Sequence, residues 1–479
     1  MTSPHLQGAL AYRWCLLPLG STASSYRATR TQMRAQSTKS SPDRTYYYLS
    51  VIDSWIIENL EKYRKGGYHP VVIGDILKDR YHIVHKLGHG SFSTIWLAHD
   101  KEKKSYVALK INIADFKSDQ ADLQLSLSDP SYIEDPGWPM IPILKDHFKS
   151  QSANGCHECY VTSPARVSLA KATETSSFSI DVARSLVAQL VHTVAYIQSR
   201  GIVHGDIHFG NILIDMDANF DKLSVSQLYQ EYGEPPTEAL ERSDEQPLTP
   251  GVPTHATEPI WLGKMAHKFN VPEARLVLSD FGEAFSPLKN KQPKLGKDCS
   301  APRYCLPPEA YFEPEKPISF AIDIWTLACA IWNIFTGRII FSSWFGKSDE
   351  ITSQQIELLG PLPPEWWAGW KAKYQFFDEF IEPKQGRETL LPFEEQFIKE
   401  MEDMARTSDR RDEPDMDMEE MKALLRMLRS MLIYRPELRA TASMILESDW
   451  MVHWGSPSYE VRGNVPGSWL PVSTAISHV

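Results

Sequence analysis

The chain has 479 residues, 42% of them hydrophobic and 23% charged, an ordinary globular composition that excludes collagen-like, largely disordered and disulfide-stapled architectures. Its formal charge of −11, from 50 Lys+Arg against 61 Asp+Glu, disfavours broad contact with nucleic acid phosphates and favours basic partners. Six cysteines without repeating spacing point to a reducing compartment. Cys156-His157-Glu158-Cys159, half a zinc site by spacing, finds no matching second pair and reads as ordinary thiols near a strand start.

The first 42 residues lack Asp and Glu yet carry Arg13, Arg27, Arg30, Arg34 and Lys39 among many Ser and Thr. This fits either a mitochondrial transit peptide or a basic tail without structure. Residues 1–45 are therefore set apart as an extension. Residues 46–80 form an approach segment, extended through Tyr68-His69-Pro70 and Val71 to Ile76.

From Tyr81 the pattern becomes short runs rich in β-branched and aromatic residues. Tyr81–Leu87, Ser93–His99 and Ser105–Ile111 read as consecutive antiparallel strands. The first two are joined by Leu87-Gly88-His89-Gly90-Ser91-Phe92-Ser93-Thr94-Ile95, whose two glycines would let backbone N–H groups approach a polyphosphate. Ser93 stands where a third glycine would be expected. One strand later Lys110 ends the apolar run Val107-Ala108-Leu109, placed to reach the α- and β-phosphates of a nucleotide held under the glycine turn. Lys110 needs a partner to hold it. Asp122 on the following helix is the first candidate and Asp119 the second.

Helical periodicity dominates afterwards. Val182, Leu186, Leu190, Val194 and Ile197 predict a long helix from Ser179, its N-cap, to Arg200, with Gly201 just past its end. The loop Ile202-Val203-His204-Gly205-Asp206-Ile207-His208-Phe209-Gly210-Asn211 then sets a carboxylate and an amide five residues apart. Asp206 can orient a nucleophilic hydroxyl while the Asn211 amide oxygen meets Mg²⁺. Residues 219–272, with Pro235-Pro236, Pro247, Pro250 and Pro253, read as an irregular surface insertion. The strand Leu276-Val277-Leu278 ends in Ser279-Asp280-Phe281-Gly282, where Asp280 can bridge Mg²⁺ to phosphates and Phe281 can pack beneath. Further helices are expected at Phe320–Gly337 and Met416–Leu432. The apolar run Ile324–Phe341 is too short and too interrupted to span a bilayer.

Taken in order, Gly88/Gly90, Lys110, Asp206/Asn211 and Asp280-Phe281-Gly282, followed by Pro307-Pro308-Glu309, Asp323-Ile324-Trp325 and Arg439, resemble a eukaryotic protein kinase from about Tyr81 to Trp450. Within that family the chain is similar to SR-protein kinases, particularly fungal ones, through Tyr68-His69-Pro70, Ile73-Gly74-Asp75, Arg80-Tyr81 and Lys86 to Ala98.

The resemblance implies a bilobal α+β fold: a small antiparallel β lobe at 81–163, a helical catalytic lobe at 164–455 and a tail at 456–479. It also implies a non-specific serine/threonine protein kinase using ATP and Mg²⁺ on Arg/Ser-rich proteins such as splicing factors. In that reading Lys110, Asp122, Asp206 and Asn211 are catalytic, and Asn211 and Asp280 hold metal. Leu87, Gly88, His89, Gly90, Ser91, Ile95, Ala108, Lys110 and the hinge amide of Ala165 line the nucleotide. Phe281, Gly282, Glu309, Asp323 and Arg439 build the activation segment and its support, Glu309 pairing with Arg439. The enzyme would be monomeric, bound to neither membrane nor nucleic acid, in cytoplasm and nucleus by resemblance, or in the mitochondrion by its first residues. Asp412, Glu413, Asp415, Asp417, Glu419 and Glu420 offer either a docking surface for basic substrates or a solvated loop.

Three departures stand out. Gly205 replaces the arginine that usually pairs with an activation-loop phosphate, so independence of such phosphorylation is expected. His208 replaces the usual lysine, and Asp122 is one methylene shorter than the usual Glu. Two other classes compete: a small-molecule phosphotransferase of the aminoglycoside or choline kinase kind, and a pseudokinase scaffold. Pro307-Pro308-Glu309, Asp323 and Arg439 speak against the first, and the surviving polar positions against the second.

Overall fold

The computed structural model describes residues 46–48, 56–116, 118–242, 244–289, 292–343, 346–407 and 416–460. The acid-free first 42 residues, Asp412, Glu413 and Asp415, and the tail after residue 460 lie outside the described residues.

A short strand, β1 (Tyr46–Tyr48), comes first. The small lobe is one antiparallel sheet built from β2 (Ile76–Leu77), β3 (Tyr81–His89), β4 (Ser93–Asp100), β5 (Ser105–Asn112), β6 (Asp146–Ser152) and β7 (Gly155–Thr162), in the order β2-β3-β4-β5-β7-β6. The period-two alternation of strands separates its faces. Tyr81, Ile83, Trp96, Ala98, Val107, Leu109, Ile111, Cys159 and Val161 form the core of one face. Ile95, Ala108 and Lys110 are less buried and lie on the other, toward the interlobe cleft. Cys156 and Cys159 sit on β7, one exposed and one buried, as free thiols.

The catalytic lobe is organised on two buried helices. In Ile180–Ser199 the Ser179 hydroxyl accepts from the Val182 N–H, and an apolar stripe from Val182 to Ile197 is buried. In Ala321–Thr336 nearly every side chain is buried, and Gly337 closes the helix at φ +65°, a conformation that favours glycine. A third helix, Met418–Met431, packs beside the second, with Asp417 as N-cap. No helix among the described residues is long and apolar enough to cross a membrane. The strands β8 (Ala165–Ser168), β9 (Ile212–Asp215) and β12 (Leu276–Leu278) form a small sheet at the cleft floor, in the order β12-β9-β8. Buried Gln189 fastens the long helix to it, donating to the Ala274 carbonyl at 2.9 Å and accepting from the Leu276 N–H at 2.8 Å.

The segment 219–272 differs from the irregular surface insertion expected. It contains the helix Val225–Tyr232, with a Ser224/Gln227 capping box, and the strands β10 (Thr237–Arg242) and β11 (His255–Thr257). β10 pairs with β1 and β11. Leu228, Phe220 and Leu262 bury against Val84, Leu97 and Tyr106 of the small lobe. Leu240, Val252 and Ala256 bury against Ile57, Leu60, Tyr63 and Tyr68 of the approach segment. Prolines punctuate the segment, but its scattered apolar residues have partners more than a hundred positions away, which local patterning does not register.

Candidate active site

The roof of the cleft is the turn between β3 and β4. Leu87, Gly88 and His89 end β3, Gly90 and Ser91 make the turn, and Ile95 on β4 pairs with Gly88 on one side and Lys110 on the other. A side chain added at Gly88 would meet nothing within 4 Å, and at Gly90 only the Ser93 hydroxyl at 4.0 Å. There is therefore open space where side chains would stand at the two glycines, while the Gly90 N–H itself donates to the Ser93 carbonyl at 2.8 Å. The approach segment fastens this turn, a feature the sequence reading missed. The buried Tyr68 hydroxyl donates to the Gly90 carbonyl at 2.7 Å, and Lys62 Nζ donates to the Ser91 carbonyl at 3.2 Å. Behind them Lys86 forms a buried ion pair with Glu58, which also accepts from the Tyr63 hydroxyl. The Tyr63-to-Tyr68 tyrosine pair around Gly66-Gly67 was the available signal.

Under the turn, Lys110 Nζ contacts Asp280 Oδ1 at 2.5 Å. Asp122 is not its partner. It is exposed, and Lys110 instead meets Gln120 Oε1 at 3.4 Å. The helix Gln120–Leu127 buries Gln120, Gln124 and Leu127, and a residue two positions on from Gln120 lies about 200° around the axis. Asp119, the second candidate, is exposed as the N-cap residue. The start of the helix is stitched to the loop Asp280-Phe281-Gly282: the Ser118 hydroxyl donates to the Gly282 carbonyl at 3.0 Å. Asp280 takes a left-handed conformation, φ +65°, and accepts from the Gly282 N–H at 3.1 Å. Burial raises its carboxyl pKa, but the Lys110 ammonium outweighs burial and holds it below the ordinary value.

Facing this pair is the loop His204–Asn211. Buried Asp323 holds its backbone, one oxygen accepting from the His204 N–H at 2.7 Å and the other from the Gly205 N–H at 2.9 Å. Burial pushes the Asp323 carboxyl up to about 7, against the pull of those two N–H groups. His204 is fully buried, which lowers its pKa; it packs 4.9 Å from Phe281 and contacts the Ser279 carbonyl at 3.0 Å. Asn211 Nδ2 donates to the Asp206 carbonyl at 2.9 Å and to Asp206 Oδ2 at 3.1 Å, turning its amide oxygen the other way. Asp206 Oδ1 is buried without a partner. An orphaned carboxylate oxygen is costly unless a donor arrives, so this atom is open to an incoming hydrogen-bond donor. His208 Nδ1 accepts from the Gly210 N–H at 3.0 Å, so its Nε2–H faces Asp206 Oδ2, at 3.6 Å.

Beyond Gly282 the chain doubles back on this loop. Val203 and Phe285 exchange both backbone hydrogen bonds, at 2.8 and 3.0 Å. Lys294 Nζ closes the segment on Glu283, 2.7 Å from its carboxylate and 3.0 Å from its carbonyl. Gly205 has φ +79°, and a Cβ there would lie 3.0 Å from the Glu283 carbonyl oxygen. The segment is thus held by a lysine of its own and by close approach at a glycine. Its far end is anchored by the bidentate pair of Glu309 with Arg439, at 2.8 and 2.9 Å.

At the hinge, Ala165 opens β8 opposite Asp215, while Ala108 pairs with Thr162. Of the acidic residues expected to offer a docking surface, Glu420 does not. It is buried, paired with Arg184, and accepts from Trp450 Nε1 at 3.3 Å. Asp417 caps its helix, accepting from the Glu420 N–H at 2.8 Å, and both it and Glu419, which pairs with Lys422 at 2.9 Å, are exposed.

The profile of the family described as protein kinase domain matches residues 81–225 and 269–451, passing over most of the insertion. SRSF protein kinase 3 of Homo sapiens is 37% identical over 192 residues, covering 37% of this chain and 33% of that protein. The serine/threonine-protein kinase spk-1 of Caenorhabditis elegans is 35% identical over 170 residues, covering 33% of this chain and 17% of that protein. A serine/threonine protein kinase of Aspergillus fumigatus is 24% identical over 407 residues, covering 82% of this chain and 90% of that protein. The chain spans about a third of the length of the SRSF kinases it matches.

Proposed function

Because the chain belongs to the protein kinase domain family, we propose that it transfers the γ-phosphoryl group of ATP to serine or threonine hydroxyls of protein substrates. The observation that carries this reading is the convergence of Lys110 and Asp280 at 2.5 Å beneath an open glycine turn, opposite Asp206 with one buried, unpartnered oxygen. Lys110 would anchor the phosphates, Asp206 would orient the acceptor hydroxyl and take its proton, and the pinned glycine turn would exclude water above them.

The residues fit a divalent ion. Among the described residues no three His, Cys, Asp or Glu side chains form a metal cluster, and the hard oxygens available are the Asp280 carboxylate and the Asn211 amide oxygen. Mg²⁺, which takes few protein ligands and completes its shell with phosphates and water, suits that pair. When bound it would neutralise charge on the phosphates.

The likeness to SRSF protein kinases and the charge of −11 favour basic, Arg/Ser-rich protein substrates. The buried Glu309–Arg439 pair and the Asp323 clasp on the catalytic loop favour a peptide-binding activation segment over a small-molecule phosphotransferase. One observation favours a second reading, a nucleotide-binding scaffold with low turnover: the lysine's helix partner is the neutral amide of Gln120.

The test is the full chain with Mg-ATP, offered an Arg/Ser repeat peptide, a generic basic peptide and an aminoglycoside. Phosphorylation of the Arg/Ser peptide is expected, with Asp206→Asn lowering turnover by about 10²–10⁴. Labelling of the aminoglycoside alone, or of nothing while ATP still binds, overturns the proposal.

A further inference from the structure

Gln120 has no role in the mechanism above, yet it is built into the site. It is 4% exposed and starts the helix Gln120–Leu127. Its N–H donates to the Ser118 hydroxyl at 3.1 Å, which ties that helix end to Gly282. Its side-chain amide lies 3.5 Å from Gln124, which in turn donates to the Pro142 carbonyl at 2.8 Å. The Oε1 that remains points at Lys110, 3.4 Å away. An amide dipole at that distance orients an ammonium but does not neutralise it, and charge-assisted bonds are roughly twice as strong as neutral ones. Lys110 therefore relies for counter-charge on Asp280, at 2.5 Å, the same carboxylate that a divalent ion needs. Asp119 and Asp122 are exposed and do not share the load.

We propose that the uncharged Gln120 amide, by bringing Lys110 no counter-charge, leaves Lys110 and Asp280 as a mutual latch, so that nucleotide and divalent cation enter this site together and neither enters well alone. The latch rests on the kinase reading of the site. Cation binding to Asp280 strips Lys110 of its counter-charge, and nucleotide taking Lys110 leaves Asp280 unbalanced beside phosphates. When both bind, each charge is answered. Thermodynamic linkage makes this coupling reciprocal, so it can be read from either ligand. Replacing the amide by a carboxylate gives Lys110 a second counter-charge, frees Asp280 and weakens the coupling.

The experiment uses the full chain as wild type, Gln120→Glu and Gln120→Met. Mn²⁺ affinity without nucleotide is followed by electron paramagnetic resonance, and ATP affinity with Mg²⁺ and with EDTA by calorimetry. Gln120→Glu should bind Mn²⁺ alone about five-fold tighter or more than wild type, the scale of exchanging a neutral for a charge-assisted partner. The factor by which Mg²⁺ tightens ATP binding should shrink correspondingly. Gln120→Met should keep the wild-type coupling, since it adds no charge. Equal coupling in wild type and Gln120→Glu, or a Gln120→Met that behaves like Gln120→Glu, overturns the latch. ATP that fails to bind wild type in either buffer overturns the kinase reading instead, because the Mn²⁺ comparison is made without nucleotide.

Discussion

Arg439 offers the sharpest quantitative test of how the catalytic lobe holds its activation segment. Its side chain is 0% exposed and that of Glu309 is 7%. Besides the bidentate pair, it donates to the carbonyls of Ala321 at 2.7 Å, Ile433 at 3.0 Å and Tyr434 at 3.1 Å, and lies 5.1 Å over the Trp325 ring. Arg439→Met keeps much of the aliphatic packing but leaves the Glu309 carboxylate buried without a cation and three carbonyls without donors. Removing one member of a buried pair costs about 3–5 kcal/mol, a fifth or more of the roughly 5–15 kcal/mol that stabilises a typical domain. Glu309→Leu alone should cost a comparable amount by leaving the guanidinium unpaired. The double variant should be less destabilised than the sum of the two singles by about 1–3 kcal/mol, because no charge is then buried alone. Urea denaturation followed by tryptophan fluorescence measures all three, with Trp325 stacked on the mutated group as reporter. A single-variant cost under about 1 kcal/mol, or strict additivity, would refute the reasoning.

Two further predictions concern the small lobe. In Tyr68→Phe the Gly90 carbonyl loses its donor, worth about 1 kcal/mol. The KM for ATP should rise about five-fold with kcat changed less than about two-fold, and an unchanged KM would exclude the tyrosine as the fastening of the turn. Burial holds the imidazoles of His85 and His69 down at about 4, a neighbouring His157 adding to burial at His69. For bases with depressed values the unfolded chain binds more protons between pH 4 and 6.5. Stability is therefore full above about pH 6.5 and is lost as pH falls toward 4, by up to about 3 kcal/mol for the buried His85. Urea midpoints taken from pH 7 to 4.5 should fall, with a shallower slope in His85→Gln; parallel slopes would contradict the assignment.

Much of this molecule was written locally. The three strands from Tyr81, the Ser179 cap, the Gly337 stop and the order of Gly88, Lys110, Asp206, Asn211 and Asp280 all follow from period, caps and turn residues, which act over a few positions. What stayed hidden needed partners distant in sequence. The reading sought a carboxylate for Lys110 and so chose Asp122, but helix phase turns Asp122 to solvent and brings the amide of Gln120 inward. Glu420 looked like one more charge in an acidic run until Arg184, 236 positions away, buried it. Tyr68 stands in a motif that says nothing of its contact, and the insertion carries none. Their hold on the glycine turn and on the small lobe exists only once Gly90, Val84 and Tyr106 are folded against them. The sequence by itself determined which groups of the site exist and in what order. Tertiary structure decided which charges face one another, because the energy of an ion pair depends on separation and burial, and neither can be read from spacing along the chain.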